Sequence, residues 1–179
     1  MIVTSARLVG FKRIDEAIRA LAYLQKSYRL VILGDGSERQ RLEALTDELD
    51  LLDRVTFEGY VDDPFAWYCR AEIFVLPSMF EGFGNVLIES MACGCQVVAN
   101  ANAWAPPEVL GYGKYGFLYE GGAPQLLATA IQDARDNPIP QTALQEYARK
   151  FTDKRAAGEY QALFDSLLQQ QPPNQPETN

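Results

Sequence analysis

The sequence contains no histidine and only three cysteines in 179 residues, and its 16 lysines and arginines are outnumbered by 24 aspartates and glutamates. Without an imidazole no Ser-His or Cys-His pair can activate a nucleophile. Cys93-Gly94-Cys95, with Cys69 remote from them, has neither redox nor zinc-ligand spacing. The three thiols are therefore expected to be ordinary buried side chains in a reducing compartment. A net charge of −8 argues against a nucleic-acid footprint, which needs a clustered basic surface. It leaves room for phosphate binding, which a few well-placed cations decide locally. No run of about 18 apolar residues is present, so no membrane-spanning helix is expected. The opening Met1-Ile2-Val3-Thr4-Ser5 reads as a strand rather than a secretory leader, and the expected location is cytoplasmic. No D-x-D stretch stands in a loop to hold a metal on a diphosphate, since Asp62 and Asp63 are adjacent; no metal is expected.

What is present is a regular alternation. At 47% hydrophobic residues the chain has ample material for one core. Strand-like runs fall at 1–8, 28–33, 55–58, 72–76, 96–99 and 115–119. Helical patterns fall at 12–25, 64–70, 124–136, 141–150 and 153–168, and in the stretches following 37 and 85. In the first helix Ile14, Ala17, Ile18, Leu21 and Leu24 share a face. Ser37 is expected to cap the next one in a capping box with Gln40, with Leu42, Leu45 and Leu49 inward. Strands alternating with helices predict an α/β domain over 1–168, Rossmann-like: a three-layer parallel sheet with helices on both faces. The Gln- and Pro-rich end, 169–179, is expected to be a disordered tail. The loops 7–12, 34–36, 59–60, 77–85 and 100–108 then share the rim at the carboxyl ends of the strands, where such folds bind ligands.

The segment Phe80-Glu81-Gly82-Phe83-Gly84-Asn85-Val86-Leu87-Ile88-Glu89 carries the strongest chemical signal. A small-residue loop opening a helix leaves backbone N–H groups free for a phosphate. Glu81 precedes that anion site. Glu89 lies inside the helix, roughly 7 Å along the axis and on the face of Asn85. Two acids flanking an anion site suit a ligand with hydroxyls, phosphates and hydroxyls in turn, the layout of a nucleotide sugar. Arg7 and Lys12 project from the same rim and can meet a diphosphate there. Gly34-Asp35-Gly36 lacks the third glycine of a dinucleotide fingerprint, because position 39 is Arg, and reads as a tight turn. Tyr60 and Phe83 are aromatic candidates for the ligand's edge, or for core.

E-G-F-G-N-V-L-I-E-S-M-A-C-G resembles the E-x7-E signature of retaining glycosyltransferases of the GT-B fold, the family four group, over residues 5–168. Arg7-Leu8 with Lys12 is similar to that family's R-L-x-x-x-K element. Gly34-Asp35-Gly36, Arg54-Val55-Thr56-Phe57-Glu58-Gly59-Tyr60, Pro77-Ser78-Met79-Phe80-Glu81-Gly82 and Glu108-Val109-Leu110 follow in the family's order. The resemblance implies a donor-binding half of a GT-B enzyme that takes a UDP-, GDP- or ADP-sugar as substrate, without cofactor or metal. It implies that Arg7 and Lys12 neutralise the departing diphosphate and that Glu81 accepts hydrogen bonds from sugar hydroxyls. Gly34, Tyr60, Phe83, Gly84, Asn85, Val86 and Glu89 would border the donor, with Glu89 on the ribose. It also implies an N-terminal acceptor-binding domain outside this chain, which would carry any lipid-linked or polysaccharide acceptor and any peripheral membrane contact. This chain alone would bind nucleotide weakly and transfer nothing. A non-catalytic nucleotide-sugar-binding domain is the alternative; a GT-B epimerase ranks lower, because His is absent. There are two departures. Ala105-Pro106-Pro107 replaces a usual Gly-Gly, so a backbone contact from that loop is not carried over, and Arg13 stands where glycine often follows the element's Lys.

Overall fold

The computed structural model describes residues 1–169. Apart from Gln169, which closes the last helix, the tail expected over 169–179 lies outside the described residues.

The strands are short and rich in branched apolar residues that pack well on a pleated surface. They are β1 Ile2–Ser5, β2 Leu30–Leu33, β3 Val55–Gly59, β4 Ile73–Leu76, β5 Gln96–Asn100 and β6 Phe117–Tyr119. All pair in parallel, in the order β3-β2-β1-β4-β5-β6. The helices are α1 Ile14–Leu21, α2 Arg39–Glu48, α3 Phe65–Tyr68, α4 Asn85–Ala92, α5 Pro106–Val109, α6 Pro124–Asp136, α7 Gln141–Ala148 and α8 Asp153–Gln169.

Strand periodicity separates two cores. Ile2, Leu30, Ile32, Ile73, Val75 and Val98 face the layer of α1, α2 and α6. Val3, Val31, Leu33, Phe74, Leu76, Val97 and Ala99 face the layer of α4, α5 and α7. A sheet buried on both faces needs apolar residues at consecutive positions, and β2 and β4 are buried at all four. The order reverses direction between β1 and β4, so the loops leaving those strands diverge and open a crevice.

One residue of the matched motifs serves the fold rather than the chemistry. Arg54, only 8% exposed, enters the end of the first helical layer and donates to the carbonyls of Leu21 at 2.9 Å, Gln25 at 3.1 Å and Tyr28 at 3.2 Å. Leu21 closes α1 and the other two follow it; Leu21 O and Gln25 O each accept one turn N–H, from Leu24 at 3.2 Å and Tyr28 at 3.0 Å, and Arg54 supplies a further, charged donor to each carbonyl. Arg54→Met removes all three of these charged hydrogen bonds, and urea unfolding is expected to show a loss of about 3 kcal/mol.

Several boundaries differ from the sequence reading. The helix expected from residue 12 begins at Ile14, because Gly10–Lys12 forms a 3-10 turn and Arg13 turns left-handed at φ 53. The capping box at Ser37 does not form: Glu38 occupies the cap position and no side chain caps α2. The Glu38 N–H instead donates to the Leu8 carbonyl at 3.0 Å, so a neighbouring loop does the capping. Leu42 and Leu45 are buried, whereas Leu49 is only partly so. The thiols also depart from expectation: Cys95 is buried, but Cys69 is exposed and Cys93 half-buried, their sulfurs 3.0 Å apart at the ends of α3 and α4. Burial pushes the Cys93 and Cys95 thiols up to about 12, which keeps both protonated and unreactive.

Candidate active site

The crevice between β1 and β4 is built from two loops tied to each other. The Met79 N–H donates to the Phe11 carbonyl at 2.8 Å, fastening the segment after β4 to the turn after β1. Behind them Asn100, 3% exposed at the end of β5, acts as a three-way brace. Its amide donates to Ser78 O at 3.1 Å, and its Oδ1 accepts from Asn102 N at 2.9 Å and Gly121 N at 3.1 Å. A lone Asn at a strand end carries no spacing signal, and the sequence reading passed over it.

Lys12 and Glu81 meet across the crevice. Lys12 Nζ lies 2.7 Å from Glu81 Oε2, and the two side chains are 17% and 16% exposed. The position after Lys12 explains why glycine is common there, since φ is positive. Arg13 holds that conformation with its guanidinium 3.5 Å from Asp15 and 3.4 Å from Glu16. Glu16 is fully buried and accepts the Gly122 N–H at 2.9 Å; burial, more than any neighbour, raises its pKa. An acid in α1 thus braces the turn that presents Lys12.

The anion end is formed by the start of α4. Gly84 is left-handed at φ 83, and an added Cβ would stand 3.1 Å from Leu87 and 3.3 Å from Glu81. No side chain caps this helix, and the amides of Phe83, Gly84, Asn85 and Val86 donate to no protein acceptor among the described residues. Unpaired amides at and just before a helix start carry partial positive charge, and all four of these residues line the crevice.

Three hollows run along the crevice. One of about 460 Å³ is lined by Gly34, Asp35, Tyr60, Val61, Pro64 and Val86, with Ser5, Ala6 and Arg7 on the β1 side. The next, about 360 Å³, holds Lys12, Glu81, Gly82, Phe83, Gly84, Asn85 and Val86. The third, about 470 Å³, holds Phe11, Lys12, Phe80, Glu81, Gly82 and Trp104. Arg7 lines all three, is exposed, and joins no ion pair among the described residues. The trough has an apolar end, a cationic middle with free amides, and an aromatic end.

Of the residues singled out from sequence, Arg7, Lys12, Glu81, Gly34, Tyr60, Phe83, Gly84, Asn85 and Val86 all line this trough. Tyr60 is 80% exposed, which rules out the core reading for its ring. The Phe83 ring also meets Phe151 edge-on at 5.9 Å. Glu89 lines none of the three hollows; it is half-buried on α4, one turn behind Asn85, and burial raises its pKa. Phe11 and Phe80 were missed, because apolar residues beside a strand end read as core until the loop is seen to turn them outward.

Residues 1–151 match the family described as Glycosyl transferases group 1. A Campylobacter jejuni protein, N-acetylgalactosamine-N,N'-diacetylbacillosaminyl-diphospho-undecaprenol 4-alpha-N-acetylgalactosaminyltransferase, is 40% identical over 119 residues, 66% of this chain and 33% of its own length. The lipopolysaccharide core biosynthesis glycosyltransferase LpsD of Rhizobium meliloti is 32% identical over 92% of this chain and 49% of its own. Among solved structures, HepE from Anabaena in complex with UDP superposes with a TM-score of 0.79 at 26% identity, covering 94% of this chain and 48% of that one. The chain thus spans from a third to a half of the length of these proteins.

Proposed function

The chain belongs to the group 1 glycosyl transferases, a half of the GT-B fold, and from that premise we propose that it forms the donor-binding half of a retaining, metal-independent sugar transferase. The observation that carries this reading is the Lys12–Glu81 pair facing the four free amides at the start of α4. In this reading Arg7 and Lys12, with the amides of Phe83, Gly84, Asn85 and Val86, bind the diphosphate and stabilise it as the glycosidic bond breaks. Glu81 accepts hydrogen bonds from the hydroxyls of the sugar, and Glu89 from the ribose. The hollow bordered by Gly34 and Tyr60 takes the base. The UDP bound by HepE supports a nucleoside diphosphate as the ligand class.

The sugar's acceptor belongs to a second half outside this sequence. That α8 is exposed along its described length supports this: Tyr160, Leu163, Phe164 and Leu167 recur at helical spacing and are each more than half exposed. A stripe of that kind is surface for another domain to cover. No described helix is long and apolar enough to cross a membrane. We assign any membrane contact to the acceptor half and the domain itself to the cytoplasm.

Calorimetric titration with UDP, GDP and ADP tests the reading. One of the three is expected to bind at millimolar concentration or better, and Glu89→Ala to weaken it by about ten-fold. Binding of none, or an unchanged affinity in the variant, would refute the assignment.

A further inference from the structure

The third hollow, at the end of the trough away from Tyr60, is walled by aromatic rings that the fold holds outward. Trp104 is 88% exposed, Phe80 67% and Phe11 40%. The neighbours of Trp104 are anchored: Ala103 is 3% and Ala105 7% exposed, and the Asn102 N–H donates to the braced Asn100 side chain. Neither Trp104 nor Phe80 stacks on another ring among the described residues. The largest apolar side chain of this loop is thus held in water by a fixed backbone, over a concave surface, with its faces open. A surface of that kind costs solvation and persists where a ligand covers it.

We propose that Trp104, with Phe80, forms a stacking wall for the hexose ring of the donor, and that it discriminates sugar-bearing from bare nucleotide. This inference rests on the donor reading above. The wall shares Arg7, Lys12, Glu81 and Gly82 with the hollow that holds the free amides, so a ring joined directly to the terminal phosphate enters it. The chemistry matches at both ends. A pyranose presents C–H bonds on one face and hydroxyls around its edge. Glu81 accepts from the edge, while an indole covers the C–H face. Because the loop is anchored, little ordering entropy is lost when the ring docks.

The chain contains two tryptophans, Trp67 and Trp104. The difference between fluorescence titrations of the unaltered chain and Trp104→Phe isolates the exposed indole. UDP, GDP and ADP are added first, then the hexose conjugates of whichever binds. The conjugates are expected to shift or quench the Trp104 emission where the bare nucleotide does not. Calorimetry on Trp104→Ala should show the affinity advantage of conjugate over nucleotide falling by roughly three- to ten-fold, with affinity for the bare nucleotide unchanged. Equal responses of Trp104 to nucleotide and conjugate, or an undiminished advantage in Trp104→Ala, overturn the stacking wall and leave the donor reading intact. Binding of no nucleoside diphosphate overturns both.

Discussion

On the donor reading proposed above, Lys12→Ala, made in this domain joined to an acceptor-binding half, is expected to lower sugar transfer by about two to three orders of magnitude, the usual cost of removing a preorganised charge that faces a leaving group. The geometry explains why Arg7 cannot make good the loss. Lys12 is 17% exposed and fixed at 2.7 Å from Glu81, whereas Arg7 stands in solvent, where its field is screened. The variant also leaves the Glu81 carboxylate unpaired beside the departing diphosphate, and that repulsion adds to the defect. Lys12→Ala combined with Glu81→Ala should therefore lose less than the product of the two single losses, as expected of groups in contact. Single-turnover transfer from a donor to a sugar acceptor measures this, with unfolding followed in parallel. A partly exposed pair contributes about 1 kcal/mol, so the fold should survive. Transfer within a few-fold of the unaltered enzyme would show that the pair only ties two loops together and would favour a domain that binds without catalysing.

The parts of this site legible in the sequence were those that rest on local rules. The strand and helix alternation follows from side-chain periodicity, and parallel pairing with both faces covered follows from that alternation. Hence the loops holding Arg7, Lys12 and Glu81 fall on one rim. What stayed illegible depends on contacts between segments distant in sequence. Ser37 has the right residue type for a cap, but the Leu8 carbonyl, which meets the Glu38 N–H, is supplied by another loop. Asn100 looks like the end of a strand until three loops converge on it. The outward setting of the Trp104 and Phe80 rings follows from the backbone around them, held by contacts that residue type alone does not give. Glu89 keeps the helical phase with Asn85 that periodicity predicts, but phase alone does not say how deep a side chain sits: it is half-buried and lines none of the three hollows.

Gly34→Ala is expected to cost more than about 4 kcal/mol, enough to lower the melting temperature by roughly 10 °C or to prevent folding. Two effects combine at that position. The backbone is at φ 118, a conformation that side chains rarely allow, and an added Cβ would lie 2.0 Å from the Ala6 carbonyl oxygen. Neither partner can retreat. The Ala6 N–H is bonded to Leu33 O at 3.0 Å, and the Gly34 N–H to Gly59 O at 2.6 Å, so the ends of β1, β2 and β3 are stitched together at this point. Gly10→Ala serves as the comparison, because an added Cβ there meets nothing within 4 Å and φ is not positive; its stability should change by less than about 1 kcal/mol. Thermal unfolding of the two variants side by side decides the matter, and a Gly34→Ala protein that melts within a degree or two of the unaltered chain would contradict it. The site follows from the same geometry. Gly34, Ala6 and Arg7 line one hollow, so the close approach that forbids a methyl group at Gly34 also sets the depth of the trough's apolar end. The turn that resembles a dinucleotide fingerprint thus acts through packing, bringing two strand ends close enough for one ligand to lie across both.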